Sequence, residues 1–325
     1  MAVCQQISAE LGLHCMQPPR PSVATVRARY TLADVRSKRR RPAPESRLLD
    51  TQGHRAMVFE LQGDLRFATL EPVLRAVVDA GAALDSALLD FKRVGHVDGD
   101  ATRMLAGLAG CCAARGQTLV LSRVRRGEML DGLGDGLAPN AVRAVSFQPH
   151  LDAALEACER RLLSRHGAAS ALRTGAEPVA VTLAEHRLCA GLSAAELALL
   201  QGQLVAGQHE PGTLIVRRGD PADALYLLGA GEVSVVVDLP LGGHKRLSAM
   251  SAGMAFGEAA LLAGGLRSAD VRADTAVACW ALTAVAFNRL KAAQPALAAT
   301  LLHNLLGSAT ETIGRLTAEV AALEG

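Results

Sequence analysis

The sequence predicts two domains in series: an α/β sandwich, then an α+β domain of short strands closed by C-terminal helices. Three observations carry this. Residues 57–163 alternate short apolar runs with helix-length periodic segments, as strands and helices in turn do. From about residue 183, a helical stretch leads into glycine-punctuated apolar runs and a final helix. The 325 residues suit two domains of about 100–200 residues each. Half the residues are apolar but only 3% are aromatic, so alanine, leucine and valine must fill both cores. The divisions expected are 1–54 (tail and basic linker), 55–165 (first domain), 166–180 (a linker of small and polar residues) and 181–325 (second domain).

In the first domain, Met57–Leu65 reads as a strand ending at Gly63-Asp64. The next segment sets Leu70, Val73, Leu74, Val77 and Val78 on one helical face over 69–80. Ala87–Val94 is a second strand, whose near-continuous apolar start indicates a buried parallel position. Asp98 sits at an N-cap, before a helix from about Asp100 to Arg115 that Gly116 stops. Gln117–Val124 is a third strand, and Leu151–Leu163 an amphipathic helix with Leu151, Ala154, Leu155, Cys158 and Leu162 inward.

Composition excludes several classes. A net charge of +2 exerts no global pull on nucleic acid or an anionic membrane. The seven cysteines are scattered and form no CxxC pair, so neither a disulfide framework nor a zinc site is expected, and no metal is assigned. The first 20 residues lack the order of a signal peptide. The stretch between Lys291 and Glu311 contains Gln294, Pro295, His303 and Asn304, a poor membrane span. A cytoplasmic protein with no membrane and no nucleic-acid partner is expected. The run Arg36-Ser37-Lys38-Arg39-Arg40-Arg41-Pro42 reads as a solvated linker.

FELQGDL, LLDFKRVGHVDGDATRML and SFQPHLDAALEACERRLL together resemble a STAS domain over roughly 55–165. The resemblance implies a protein partner. In the anti-sigma-factor antagonist branch, the loop after the second strand carries a phosphorylatable serine. Here it reads Asp98-Gly99-Asp100-Ala101, without a hydroxyl acceptor. Asp98 and Asp100 are therefore read as helix cap and first-turn charge.

The segment Phe256-Gly257-Glu258-Ala259-Ala260-Leu261-Leu262-Ala263-Gly264-Gly265-Leu266-Arg267-Ser268-Ala269 carries the chemistry. Gly257 allows close backbone approach. A short helix over 258–263 would present N–H groups to an anion. Arg267, nine residues after Glu258, can return over the same place and bind phosphate oxygens. Glu258 only accepts, so it wants a hydroxyl. A ribose cyclic phosphate satisfies both.

The segment resembles the phosphate-binding cassette of cyclic-nucleotide-binding domains, and the turns at Pro211-Gly212, Gly219–Asp223, Gly231 and Gly253 fall where that family's β-roll turns. The resemblance implies that Glu258 takes the ribose 2′-hydroxyl and Arg267 the cyclic phosphate. Gly257, Ala259, Ala260, Ser268 and Ala269 would line the phosphate pocket. The ligand would be cAMP, slightly favoured over cGMP, with no other cofactor. The fold expected is thus an α/β STAS-like sandwich followed by an α+β cyclic-nucleotide-binding β-roll with C-terminal helices.

Leu302, Leu306, Ala309, Ile313, Leu316, Val320 and Leu323 follow a 4-3-4 spacing. That stripe is either a homodimer seam over 302–323 or a face that packs on its own β-roll or lids the nucleotide. At the other end, Ile7-Ser8-Ala9-Glu10-Leu11-Gly12-Leu13-His14 reads as the end of a helix, followed later by Ser37-Lys38-Arg39. This stretch is similar to the end of a bacterial glutaminase catalytic domain. In some actinobacterial-type glutaminases a STAS domain and a cyclic-nucleotide domain follow in the same order. The resemblance implies the regulatory part of such a protein, the family's reaction being L-glutamine to L-glutamate and ammonia. Those enzymes use Ser-x-x-Lys, and no serine here has lysine three positions on. The catalytic part is expected to be missing, and no catalytic residue is assigned. A transcription factor of catabolite-activator type is disfavoured, since no helix-turn-helix follows the last helix.

Overall fold

The computed structural model describes residues 25–125, 139–167, 180–239, 244–262 and 264–324. The expected helix end at 7–14, the linker residues 168–179, Cys4 and Cys15 lie outside the described residues. The chain divides into two units. The first holds Met1–Ser37, Ala43–Arg173 and Ala318–Gly325, and the second Lys38–Pro42 and Thr174–Thr317.

In the first unit, alternate residues of each strand face opposite layers. Strand β1 (Val26–Thr31) is antiparallel to β2 (Ala56–Leu65), and β3 (Ser86–Val97), β4 (Thr118–Ser122) and β5 (Val145–Gln148) follow in parallel, in the order β1-β2-β3-β4-β5. Phe59, Leu61, Leu89, Phe91, Leu119 and Leu121 bury one face against α2 (Phe67–Asp79) and α3 (Gly99–Ala114). Val58, Leu88 and Val120 bury the other, against α1 (Ala43–Gln52) and, after the short α4 (Pro139–Val142), α5 (Leu151–His166). Burial on both sides is why these strands read as continuous apolar runs.

The five apolar residues expected inward on α2 are all buried. Asp98 caps α3, accepting from the Ala101 amide at 2.8 Å, and Thr102 lies inside that helix. Leu151 is only half-buried, while Ala154, Leu155, Cys158 and Leu162 are buried.

Residues 25–54 differ from the expected tail and linker. β1 completes the sheet, and α1 seats Leu49 in the core. Apolar Val26, Ala28 and Tyr30 alternate with Arg27 and Arg29, so an edge strand can pair its backbone while its arginines stay at the surface. Arg27 pairs with Glu60 and Arg29 lies over the Phe59 ring. The basic run is not a solvated linker either. Ser37 is fully buried, its amide and hydroxyl donating to Glu159 at 2.6 and 2.8 Å.

In the second unit two 3-10 turns (Leu183–Glu185 and Arg187–Cys189) and α6 (Ala194–Gln201) precede two packed four-stranded antiparallel sheets. One runs β10 (His244–Ser251), β9 (Glu232–Asp238), β12 (Asp270–Ala273), β7 (Leu214–Val216). The other runs β11 (Ala255–Phe256), β8 (Ala224–Ala230), β13 (Val277–Thr283), β6 (Val205–His209). Between β8 and β9, Gly231 has φ +85°, and a Cβ there would lie 2.1 Å from the Ala276 carbonyl oxygen. Only glycine fits that turn.

The short α7 (Ala259–Leu262) follows β11, and α8 (Ala284–Ala293) and α9 (Pro295–Glu324) as far as Thr317 close the unit's sequence. Leu297, Ala298 and Leu301 at the start of α9 are buried. Of the stripe itself, Leu302 is half-buried, whereas Leu306, Ile313 and Val320 are more than half exposed. Among the described residues, no helix is long and apolar enough to cross a membrane, and no group of three or more His, Cys, Asp or Glu could hold a metal ion.

Candidate functional site

The segment singled out in the sequence forms one loop between β11 and β12. Gly257 takes φ +83°, and a Cβ there would meet Arg267 Nη1 at 2.7 Å and the Ala224 carbonyl oxygen at 3.0 Å. The turn at Gly264-Gly265 then reverses the chain, and its return is pinned to the loop before β8. The Ala222 amide donates to the Gly265 carbonyl at 2.8 Å, the Arg267 amide to Asp220 at 2.8 Å, and the Gly219 amide to Arg267 at 2.9 Å.

This backbone framework turns the Arg267 guanidinium inward. It donates to the carbonyls of Ala224 (2.8 Å) and Gly257 (3.4 Å) and to Asp223 Oδ1 (3.1 Å), and lies 5.7 Å from the centroid of the Tyr226 ring. Tyr226 in turn stacks on Phe256 with centroids 5.0 Å apart. Arg267 is only 7% exposed. Its charge is held by a carboxylate, two carbonyls and an aromatic face, which fixes its direction.

The other expected residues take different places. Glu258 is exposed and lines a cavity of about 520 Å³, together with Arg40, His186, Met254, Ser308 and Thr312. Ala259 begins α7 and Ala260 lies within it. Ser268 is exposed, while Ala269 is buried at the entry to β12. Arg267 and Gly257 are thus brought together, and Glu258 faces the neighbouring cavity. The sequence pattern marks Asp223 only as the end of a β-roll turn and gives Tyr226 no part in the site. The signal available was a carboxylate at the end of Gly219-Asp220-Pro221-Ala222-Asp223.

The close approach at Gly257 makes a direct expectation. Gly257→Ala should destabilise the second unit by about 1–3 kcal/mol, the range for a side chain forced into left-handed backbone. It should also push Arg267 off its carbonyl partners. Urea unfolding followed by the fluorescence of Trp280, the chain's single tryptophan, measures the first effect.

Residues 207–294 match the cyclic nucleotide-binding domain family. Glutaminase 1 of Bradyrhizobium diazoefficiens is 33% identical over 305 residues, covering 93% of this chain and 48% of that protein. Glutaminase 2 of the same organism is 29% identical over 314 residues, covering 94% of this chain and 47% of that protein. This chain therefore spans about half the length of these curated relatives. Among solved structures, the N-terminal domain of a transcriptional regulator from Streptomyces coelicolor is 25% identical, with a TM-score of 0.37 over 41% of this chain and 94% of that one. The chain carries a cyclic nucleotide-binding domain at 207–294, within a sequence that has glutaminase homologues along nearly all of its length.

Proposed function

We propose that the second unit senses a 3′,5′-cyclic nucleotide, cAMP ahead of cGMP, and that the chain is a regulatory region passing its occupancy to a partner. The observation that carries this is the aimed guanidinium of Arg267, held against Gly257 within the nucleotide-binding domain. In this reading Arg267 takes the cyclic phosphate and Glu258 the ribose 2′-hydroxyl. Gly257, Ala259, Ala260, Ser268 and Ala269 supply the backbone around the phosphate. The first unit acts as a STAS-like interaction module, which its helix-covered mixed sheet supports. The exposed Leu306, Ile313 and Val320 on α9 favour a second copy of the chain across 302–323.

The match to two glutaminases along more than nine-tenths of the chain supports a further step. The activity regulated would be hydrolysis of L-glutamine to L-glutamate and ammonia. Calorimetric titration of the chain with cAMP and cGMP tests the sensor. Saturable binding of at least one is expected, and no binding of either would overturn it. Ammonia release from glutamine by this chain alone would place catalysis within these residues and replace the regulatory reading by an enzymatic one.

A further inference from the structure

The arginine run at 38–42 belongs to the second unit, and its partners there give it a role that a linker lacks. Arg39 forms a parallel bridge with Ala249 of β10. The Arg40 amide donates to the Ala249 carbonyl at 2.8 Å, and the Ala249 amide donates to the Lys38 carbonyl at 3.0 Å. Three residues of the run thus add a short strap along β10. Extended backbone sends successive side chains to opposite faces. Arg39 goes one way and makes a two-pronged ion pair with Glu232, at 2.8 and 2.7 Å. Arg40 goes the other way, donating to the Ser308 hydroxyl on α9 and lying 3.8 Å from the Met250 sulfur.

That second direction leads into the cavity that Glu258 lines. A guanidinium has five donors and no acceptor. A hydroxyl and a thioether are neutral acceptors, so they compensate a partly desolvated positive charge poorly. Burial accordingly pushes the Arg40 pKa below its usual value, and the Glu258 charge works against that shift. The pocket wall therefore holds a cation with spare donor capacity, beside the carboxylate read as the ribose acceptor. A nucleotide whose nucleoside end offers an acceptor atom to Arg40 and a hydroxyl to Glu258 complements both.

We propose that Arg40, carried into the cavity on the strap, is a ligand-binding residue for the nucleoside end of the cyclic nucleotide. This rests on the reading of the second unit as a nucleotide sensor. It adds a contact from outside residues 207–294. By linkage, whatever factor Arg40 contributes to affinity, bound nucleotide returns as stability of the docked strap.

The test combines titration with proteolysis on the full chain. Arg40→Ala should weaken binding of the preferred nucleotide about tenfold or more, as loss of a charge-assisted contact does, and Arg40→Gln should do the same if the alanine variant folds poorly. Arg40→Lys should fall between. Saturating nucleotide should slow trypsin cleavage within Arg39–Arg41 in the parent chain, and not in Arg40→Gln. If the parent binds nucleotide and Arg40→Gln binds it within about twofold, this inference falls and the sensor stands. If the parent binds neither nucleotide, both fall.

Discussion

Replacing Arg267 by alanine is expected to weaken cyclic-nucleotide binding about ten- to hundredfold, the equivalent of a charged hydrogen bond worth about 1.5–3 kcal/mol. The size follows from preorganisation. The protein fixes the guanidinium before any ligand arrives, through the Ala224 and Gly257 carbonyls, Asp223 and the Tyr226 ring. A phosphate therefore meets a donor whose ordering cost has already been met in folding. Arg267→Lys keeps the charge but has no planar fork to satisfy two carbonyls and a phosphate together, so it should recover only part of the loss. Calorimetry on the parent and both variants measures the affinities, and urea unfolding separates a binding loss from a folding loss. Equal affinities for parent and Arg267→Ala would remove Arg267 from the site.

The residues that made this site legible are neighbours in sequence. Gly257 and Arg267 sit ten positions apart on one loop; spacing returned Arg267 over the turn of helix that begins at Glu258, and the structure sets it against Gly257 while Glu258 faces the neighbouring cavity. Ala224 and Tyr226 on β8, and Asp223 just before it, reach the same guanidinium from more than forty positions earlier. No local pattern announces such a contact. The same distinction runs through the fold. The period of Leu70, Val73, Leu74, Val77 and Val78 is written within one helix, and the structure buries all five. The strap at 38–42 depends on Glu232, 193 positions away, and composition alone makes an arginine run look solvated. β1 was hidden differently. Its alternation was present in Val26, Ala28 and Tyr30, but the intervening arginines suggested a tail until Glu60 and the Phe59 ring supplied partners.

Acidification should destabilise the second unit by about 3 kcal/mol as the pH falls from about 6.5 to about 4, the size set by the free energy of roughly 2.5 pK units. The residue responsible is His186, which is 1% exposed. Its Nδ1 accepts from the Leu188 amide at 3.2 Å, and its Nε2 lies 3.1 Å from the Met254 carbonyl oxygen. One nitrogen accepts and the other donates, which only the neutral ring can do. Burial pushes its pKa from 6.5 down to about 4, with the charge of Arg187 acting in the same direction and the Met254 bond opposing. The unfolded chain therefore takes up a proton first as the pH drops through 6.5. Stability is intact above that value and is lost toward the folded pKa, the reverse of a histidine that gains an acidic partner. His186→Gln keeps a donor and an acceptor but cannot titrate, so its urea midpoint should stay flat where the parent's falls. Trp280 fluorescence at about pH 7.5 and about pH 4.5 reads the difference. Parallel pH dependence in the two proteins would clear His186 of the effect. His186 and Met254 both line the cavity beside Glu258, and the folded protein keeps this ring neutral until the pH nears about 4, so in the parent nucleotide affinity should hold down to that value and fall only as the ring itself takes up a proton.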